Sequence, residues 1–270
     1  MAPNMTENFN VHRIAMLIDG DNAQPSLTEK MLAEASKYGM VTIRRIYGDW
    51  TAANMSSWKD VLQTFAIQPI QQFRYTTGKN ATDSAMIIDA MDTLYSGGVD
   101  GFCLVSSDSD YTRLATRIRE KGVFVMGIGK KSTPRAFVNA CDVFVFTQNL
   151  VMEVSQPKPK PSTTRRKKKG NGVSPEVSEP IAQEPAPFEP GTPDPLPLLK
   201  SAFDIAVQDD GWAFLGTIGH QLRQLDPSFD SRTYGYKQLS ALIRAYSKTF
   251  IIREIKIADG NSVLSVKLKE

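Results

Sequence analysis

The chain reads IAMLIDGDN over residues 14–22, so that five apolar residues lead directly into an Asp-Gly-Asp segment. A second stretch, residues 102–110, reads FCLVSSDSD and repeats this arrangement. Short apolar runs of this kind are typical of strands that are buried on both faces of a parallel sheet. Because parallel strands end at one edge, both stretches predict aspartates at the carboxyl edge, where open α/β sheets bind ligands.

Strand and helix patterns alternate along residues 1–150. The predicted strands cover 14–18, 41–47, 70–75, 102–106, 123–127 and 143–146, and the predicted helices cover about 26–38, 55–66, 82–95, 110–121 and 134–140. This alternation indicates an α/β fold with a parallel sheet covered on both faces. Right-handed crossovers then give a Rossmann-like sandwich.

The composition changes after residue 150. Residues 151–197 hold eleven of the sixteen prolines and have almost no apolar periodicity. Such a stretch cannot bury enough surface to offset its ordering entropy, so residues 151–194 are predicted to be a disordered, charged linker. Its basic run consists of Arg165, Arg166, Lys167, Lys168 and Lys169. That run could tether RNA by counterion release, localise the protein or keep the linker soluble.

Residues 195–270 have a different pattern. Helices are predicted at 198–207, 216–225 and 234–246, followed by two alternating runs at 250–257 and 262–268. An Asp-Gly pair, Asp259 and Gly260, lies between these runs and is a strong hairpin signal. Three helices and a hairpin in about 70 residues predict a small winged-helix domain.

Net charge, cysteine content and the length of the apolar runs exclude some classes of protein but do not identify the function. The net charge of +3 is too small to indicate a nucleic-acid partner, and residues 1–150 carry 15 acidic and 15 basic residues. Cys103 and Cys141 each lie in an apolar stretch, which favours buried free thiols. No apolar run approaches the roughly 18 residues that span a bilayer, and the first ten residues lack a secretory pattern. We therefore expect a cytoplasmic protein with no membrane partner.

The strand-end aspartates indicate a metal site. If the first and fourth strands are neighbours, Asp19 and Asp108 approach one another, and like charges that close need a cation or a shared proton. Oxygen ligands of this type suit Mg²⁺ or Mn²⁺. Asp83 follows the loop that contains Lys79 and would begin a helix, where capping explains a carboxylate equally well. The same alternative applies to Asp21 and Asp110.

Three segments of the chain closely resemble the motifs of the NYN family of PIN-like nucleases. They read IDGDN at 18–22, GKNATD at 78–83 and VSSDSDY at 105–111, in the family's order, within a resemblance over about residues 12–148. The resemblance implies a metal-dependent endoribonuclease using Mg²⁺ or Mn²⁺. It implies an acidic pocket that contains Asp19, Asp83, Asp108 and Asp110. Asn22 and Lys79 match the first and second motifs and are candidate RNA-binding residues.

The implied mechanism is phosphodiester hydrolysis. Asp19, Asp108 and Asp83 would hold the metal, and Asp83 or Asp110 would orient or deprotonate a water. Asp89 also matches the second motif, but six residues rotate it by about 240° from Asp83 around a helix, so a structural role is at least as good an interpretation. Tyr111 stands where the family commonly has an apolar Phe, a departure that we expect to matter little.

The C-terminal region resembles the LOTUS, or OST-HTH, winged-helix family over about residues 195–268. The residues that carry this resemblance are Trp212, Leu215, Gly219, Leu222, Pro227, Ser228, Phe229, residues 234–239, Leu242, Ile243, Phe250 and Ile251. The resemblance implies RNA binding or docking of a protein partner. Arg232, Lys237, Arg244 and Lys248 are candidate phosphate contacts, and the alternative is a solvated helix face.

Other functions remain open. Asp19-Gly20-Asp21 fits the D-x-D of haloacid dehalogenase-type phosphatases, but the later motifs of that class are not clearly present. Asp108-Ser109-Asp110 fits the D-x-D of Toprim domains, which need a Glu after the first strand where this chain has Asp19. A further alternative is a non-catalytic RNA-associated regulator, or an adaptor that recruits a protein partner through the winged helix.

Overall fold

The computed structural model describes residues 12–73, 81–151, 192–256 and 262–269. These residues form two compact units, one around a six-stranded sheet and the other around a three-stranded sheet. Most of the predicted linker, residues 152–191, lies outside the described residues, as do Lys79 and the basic run at 165–169. None of the helices described is both long and apolar enough to cross a membrane.

The first unit alternates strands with helices, as predicted. The strands are β1 (Arg13–Asp19), β2 (Met40–Gly48), β3 (Gln68–Gln71), β4 (Gly101–Val105), β5 (Phe124–Gly129) and β6 (Val143–Phe146), and the helices are α1 (Thr28–Ala35), α2 (Lys59–Phe65), α3 (Ala81–Ser96), α4 (Thr112–Glu120), α5 (Arg135–Ala140) and α6 (Thr147–Val151). All six strands are parallel, in the order β3-β2-β1-β4-β5-β6. The predicted α/β fold is confirmed, and the strand order reverses between β1 and β4.

Both faces of the sheet are buried, which explains the near-continuous apolar strands. Ile14, Met16 and Ile18 of β1 belong to one hydrophobic cluster. Ala15 and Leu17 belong to the other cluster, which also contains side chains of α3 and α4. Because side chains alternate along a strand, Asp19 lies on the same face as Leu17, beneath α3. Cys103 and Cys141 are buried and free, as predicted.

Some predicted boundaries in the first unit were wrong. The strand predicted at 70–75 is β3, which begins at Gln68 and ends at Gln71. It begins with Gln68 and Pro69, which do not continue an apolar strand pattern, so the pattern placed its start too late. The helix predicted at 55–66 opens as a 3-10 segment (Ala53–Trp58), and regular α-helix begins only at Lys59. Helix α6 is too short to show a periodic pattern and was not predicted.

The second unit has the predicted three helices and hairpin. Its elements are α7 (Leu196–Ala206), β7 (Ala213–Phe214), α8 (Leu215–Leu225), α9 (Leu239–Ala245), β8 (Phe250–Lys256) and β9 (Ser262–Leu268). Strands β8 and β9 pair antiparallel, and the two-residue β7 adds to β9. The turn predicted at 259–261 lies outside the described residues.

The helix predicted at 234–246 was wrong in its first part. A 3-10 turn (Ser231–Tyr234) ends at Gly235, whose φ of 79° is left-handed, and α9 begins four residues later. A residue in the left-handed conformation ends the helix at this point. Gly adopts that conformation without the steric cost of a Cβ. In the core of this unit, the buried Phe203 and Phe250 rings pack with their centroids 6.2 Å apart.

Candidate metal centre

Asp19 ends β1 as a buried carboxylate with 1% of its surface exposed. Its Oδ2 accepts hydrogen bonds from Asn22 Nδ2 at 2.7 Å and from Ser106 Oγ at 2.8 Å. Its Oδ1 accepts one longer bond, at 3.1 Å, from the Asp21 N–H. Burial raises the pKa of Asp19 above its ordinary value, although these hydrogen bonds lower it. Asp19 is therefore fixed in place, while its charge is costly in the absence of a cation.

Gly20 lets the chain leave β1 close to its neighbour. Its N–H donates to the carbonyl oxygen of Tyr47, at the end of β2, at 2.9 Å. A Cβ at this position would lie 2.7 Å from that same oxygen. The glycine between the two aspartates is therefore required by a close backbone approach, which holds Asp19 at the sheet edge.

The loop after β4 carries Asp108 and Asp110. The Asp108 N–H donates to Ser106 Oγ at 3.1 Å, so Ser106 connects this loop to the Asp19 carboxylate. Asp108 also caps the 3-10 turn Ser109–Tyr111, since its Oδ1 accepts from the Asp110 N–H at 2.9 Å. Asp108, rather than Asp110, is therefore the capping residue of this turn.

Asp83 lies in the first turn of α3, facing the ends of β1 and β4. The hydroxyl of the buried Tyr111 donates to its Oδ1 at 2.7 Å. Burial raises the pKa of Asp83, and the charges of the three other site aspartates raise it further, against the lowering effect of the Tyr111 hydrogen bond. Asp19, Asp108 and Asp110 are therefore close enough for their charges to oppose the ionisation of Asp83.

Three of the predicted site residues converge directly. Asp83, Asp108 and Asp110 each offer a carboxylate oxygen, and these oxygens all lie within 4.8 Å of one another. Asp83 and Asp108 are half-buried and Asp110 is exposed. Asp19 is outside this group of three, but its charge acts on Asp83. An all-oxygen set of this kind fits Mg²⁺ or Mn²⁺, which keep bound waters beside one or two carboxylates.

Asp89 contacts the sheet rather than the acidic cluster. It accepts hydrogen bonds from Arg45 Nη1 and from the Tyr47 hydroxyl, both on β2. Burial raises the pKa of Tyr47, so its hydroxyl keeps its proton and donates. Asp89 thus attaches α3 to the sheet and is not part of the acidic cluster.

Two contacts at the site were not predicted. Ser106 is buried and bridges Asp19 to the Asp108 loop, and its only sequence signal is a small polar residue at a strand end. Tyr111, expected to matter little, contacts Asp83 directly. Nothing in the spacing along the chain reveals this partner of its hydroxyl. Asn22, a candidate RNA contact, donates to Asp19.

In the second unit, Lys237 and Arg244 are exposed near α9. Arg232 differs from them because its guanidinium donates to both carboxylate oxygens of Asp230, and only 20% of its side chain is exposed. Arg232 is therefore held in an ion pair. The Arg253 guanidinium on β8 lies over the Trp212 ring, 3.8 Å from its centroid.

Comparison with known proteins gives two family matches and four similar chains among the solved structures, including the following two. A crystal structure of a protein of unknown function from Vibrio parahaemolyticus is 19% identical, with a TM-score of 0.44, over 54% of this chain and 96% of that one. A solution NMR structure of an uncharacterized protein from Nitrosomonas europaea is 29% identical, with a TM-score of 0.27, over 39% and 93%. No protein with a curated description matches.

The family matches cover both units. Residues 193–261 match the OST-HTH/LOTUS domain, which implies RNA binding. Residues 13–151 match the NYN domain, which has a PIN-like nuclease fold, and this match covers more than half of the chain. The chain therefore belongs to the NYN family of PIN-like nucleases and carries a C-terminal OST-HTH/LOTUS domain.

Proposed function

We propose that the chain is a metal-dependent endoribonuclease that hydrolyses RNA phosphodiester bonds at the carboxyl edge of the six-stranded sheet. The observation that best supports this is the convergence of carboxylate oxygens from Asp83, Asp108 and Asp110 beside the buried Asp19. Carboxylates this close destabilise one another unless a cation is bound. The edge is also the switch point between β1 and β4, where open α/β sheets bind ligands.

In this proposal Asp19, Asp83 and Asp108 hold Mg²⁺ or Mn²⁺. A divalent cation, when bound, supplies positive charge for the scissile phosphate and lowers the pKa of a nearby water. Asp110 is exposed at the rim of the cluster, so its carboxylate can orient the attacking water and accept its proton. Carboxylates carry the acid–base chemistry, because His12 precedes β1 and lies at the opposite edge of the sheet.

RNA binding by the winged helix is the second part of the proposal, and it is supported by the match to the OST-HTH/LOTUS domain. Lys237 and Arg244 are exposed there and would contact phosphates. Further RNA contacts are proposed for Asn22, Lys79 and the linker residues Arg165, Arg166, Lys167, Lys168 and Lys169. These contacts position the substrate, whereas the aspartates act on the scissile bond.

Substitution of the strand-end aspartates tests the proposal. Asp19→Asn and Asp108→Asn each remove a metal-binding charge, so each should abolish metal-dependent RNA cleavage while leaving the fold intact. Asp92→Asn is the matched control, since Asp92 is an exposed aspartate of α3 outside the cluster. Equal cleavage by all three variants and the wild type would contradict the proposal. Metal binding without any cleavage by the wild type would favour the non-catalytic regulator.

A further inference from the structure

Tyr111 is a buried side chain that contacts the candidate metal centre without contributing a carboxylate to it. It ends the 3-10 turn that begins at Ser109, and none of its surface is exposed. Its ring centroid lies 6.4 Å from that of Phe137 within the hydrophobic cluster beneath α3 and α4. A phenylalanine ring would pack in the same space. The hydroxyl is therefore the feature that packing does not explain, since a buried hydroxyl is costly unless it is hydrogen-bonded.

The hydroxyl of Tyr111 has a specific partner, Asp83 Oδ1, at 2.7 Å. The terminal torsion of an aspartate is broad, so a carboxylate in the first turn of a helix has no fixed orientation by itself. A hydrogen bond to an ionised acceptor is among the stronger ones and restricts this rotation. Oδ1 and Oδ2 of Asp83 then keep defined directions relative to Asp108 and Asp110.

Tyr47 provides a natural comparison. It is equally buried, lies in the same hydrophobic cluster, and its hydroxyl also donates to an aspartate of α3. Its partner is Asp89, which is outside the group of three converging carboxylates. The two tyrosines therefore share burial, packing and helix contact, and they differ in which carboxylate they hold.

We propose that Tyr111 is a positioning residue, whose hydroxyl orients the Asp83 carboxylate so that it binds a divalent cation together with Asp19 and Asp108. This inference rests on the metal site of the proposed function. It concerns how the site is organised, and a measurement of metal binding tests it without any RNA. Ligand-orienting contacts of this kind typically affect metal affinity by about 10–100-fold when removed.

The test measures Mn²⁺ binding to the full chain by electron paramagnetic resonance. Tyr111→Phe keeps the ring and removes only the hydroxyl, so the Mn²⁺ dissociation constant should rise by about 10–100-fold. Tyr47→Phe is the matched control and should leave that constant unchanged, although it loses an equivalent hydrogen bond to α3. Unchanged Mn²⁺ affinity in Tyr111→Phe would overturn the inference. An equal loss in both variants would also overturn it, because docking of α3 would then be the cause.

A double-mutant cycle shows whether Tyr111 acts through Asp83. On an Asp83→Asn background, Tyr111→Phe should cause no further loss of Mn²⁺ affinity, since the carboxylate that it orients is already gone. Additive losses would overturn the inference. With RNA present, Tyr111→Phe should lower kcat at a fixed Mn²⁺ concentration while the KM for RNA stays constant.

Failure of the inference and failure of the proposed function are distinguishable. If the wild type binds Mn²⁺ tightly, Tyr111→Phe binds it weakly and neither cleaves RNA, the nuclease proposal fails while the positioning role stands. If the wild type cleaves RNA and both proteins bind Mn²⁺ equally, the nuclease proposal stands and the positioning role fails. Absence of Mn²⁺ binding by the wild type would overturn the positioning role.

Discussion

At the level of single residues, Asp83 is a carboxylate whose surroundings make its charge unfavourable to the fold. Its pKa is raised by burial and by the facing charges of Asp19, Asp108 and Asp110. A raised pKa in the folded state means that folding favours the protonated carboxyl. The fold is therefore destabilised by Asp83 once the pH rises through its folded pKa, and this effect is absent below the ordinary value of 3.8.

Removing this charge should stabilise the metal-free protein. Asp83→Asn keeps an oxygen that can accept from Tyr111, so in EDTA at pH 7 its Tm should exceed that of the wild type. The difference should disappear below about pH 4, where both side chains are neutral. Differential scanning calorimetry across this pH range measures the effect. Excess Mn²⁺ should reverse the order by stabilising the wild type. A lower Tm for the variant in EDTA at pH 7 would contradict this electrostatic interpretation.

At the level of elements, α3 is the helix on which the site depends. Two tyrosine–aspartate hydrogen bonds attach this helix to the rest of the unit. One runs from Tyr111, in the turn after β4, to Asp83, and the other runs from Tyr47 of β2 to Asp89. The Arg45 guanidinium strengthens the second attachment, with only 28% of its side chain exposed. Asp83 therefore belongs to the acidic cluster, while Asp89 holds the helix in place.

Loss of the contacts that Asp89 makes with Arg45 and Tyr47 should lower the stability of the fold and leave RNA cleavage unchanged. Asp89→Ala leaves the Arg45 guanidinium and the Tyr47 hydroxyl without their acceptor, so the free energy of unfolding should fall by about 1–3 kcal/mol. Urea denaturation measures this change, and Asp92→Ala on the exposed side of α3 is the control. RNA cleavage per folded molecule should stay near wild type at a temperature where both proteins are folded. A selective loss of kcat would place Asp89 in the catalytic machinery instead.

The elements also show what the sequence could reveal. The buried strands β1 and β4 were predictable because parallel strands covered on both faces need continuous apolar runs, and their terminal aspartates were predictable with them. The break at Gly235 was not, since the apolar pattern of the helix continues through it. The Tyr111–Asp83 contact was not predictable either, because residues 28 positions apart meet only through tertiary packing. Spacing along the chain indicates which residues share an edge, but not which hydroxyl meets which carboxylate.

At the level of the whole molecule, the proposed function assigns RNA binding to the second unit and RNA cleavage to the first. Lys237 and Arg244 belong to the second unit, and the acidic cluster belongs to the first. Because both units belong to one chain, an RNA held by the winged helix would be concentrated near the proposed nuclease site without any added catalytic group.

This division predicts a change in KM alone. Lys237→Ala combined with Arg244→Ala should raise the apparent KM for RNA, while kcat at saturating RNA changes little. Each lost phosphate contact should also reduce the slope of log affinity against log salt by about 1. Lys200→Ala, an exposed lysine of α7, is the control and should leave KM unchanged. If the double variant binds and cleaves RNA like wild type at every salt concentration, docking of a protein partner becomes the better function for the winged helix.

The most direct test of the proposed nuclease is a time course of RNA cleavage by the purified full chain. A mixed-sequence RNA is incubated with protein and Mn²⁺, EDTA is added midway, and excess Mn²⁺ is restored later. We expect fragments to accumulate, to stop accumulating on chelation, and to accumulate again when the metal returns, because Asp19, Asp83 and Asp108 need a divalent cation to act on the phosphate. Cleavage that continues in EDTA, or no cleavage with either Mn²⁺ or Mg²⁺, would contradict a metal-dependent nuclease site at this edge of the sheet.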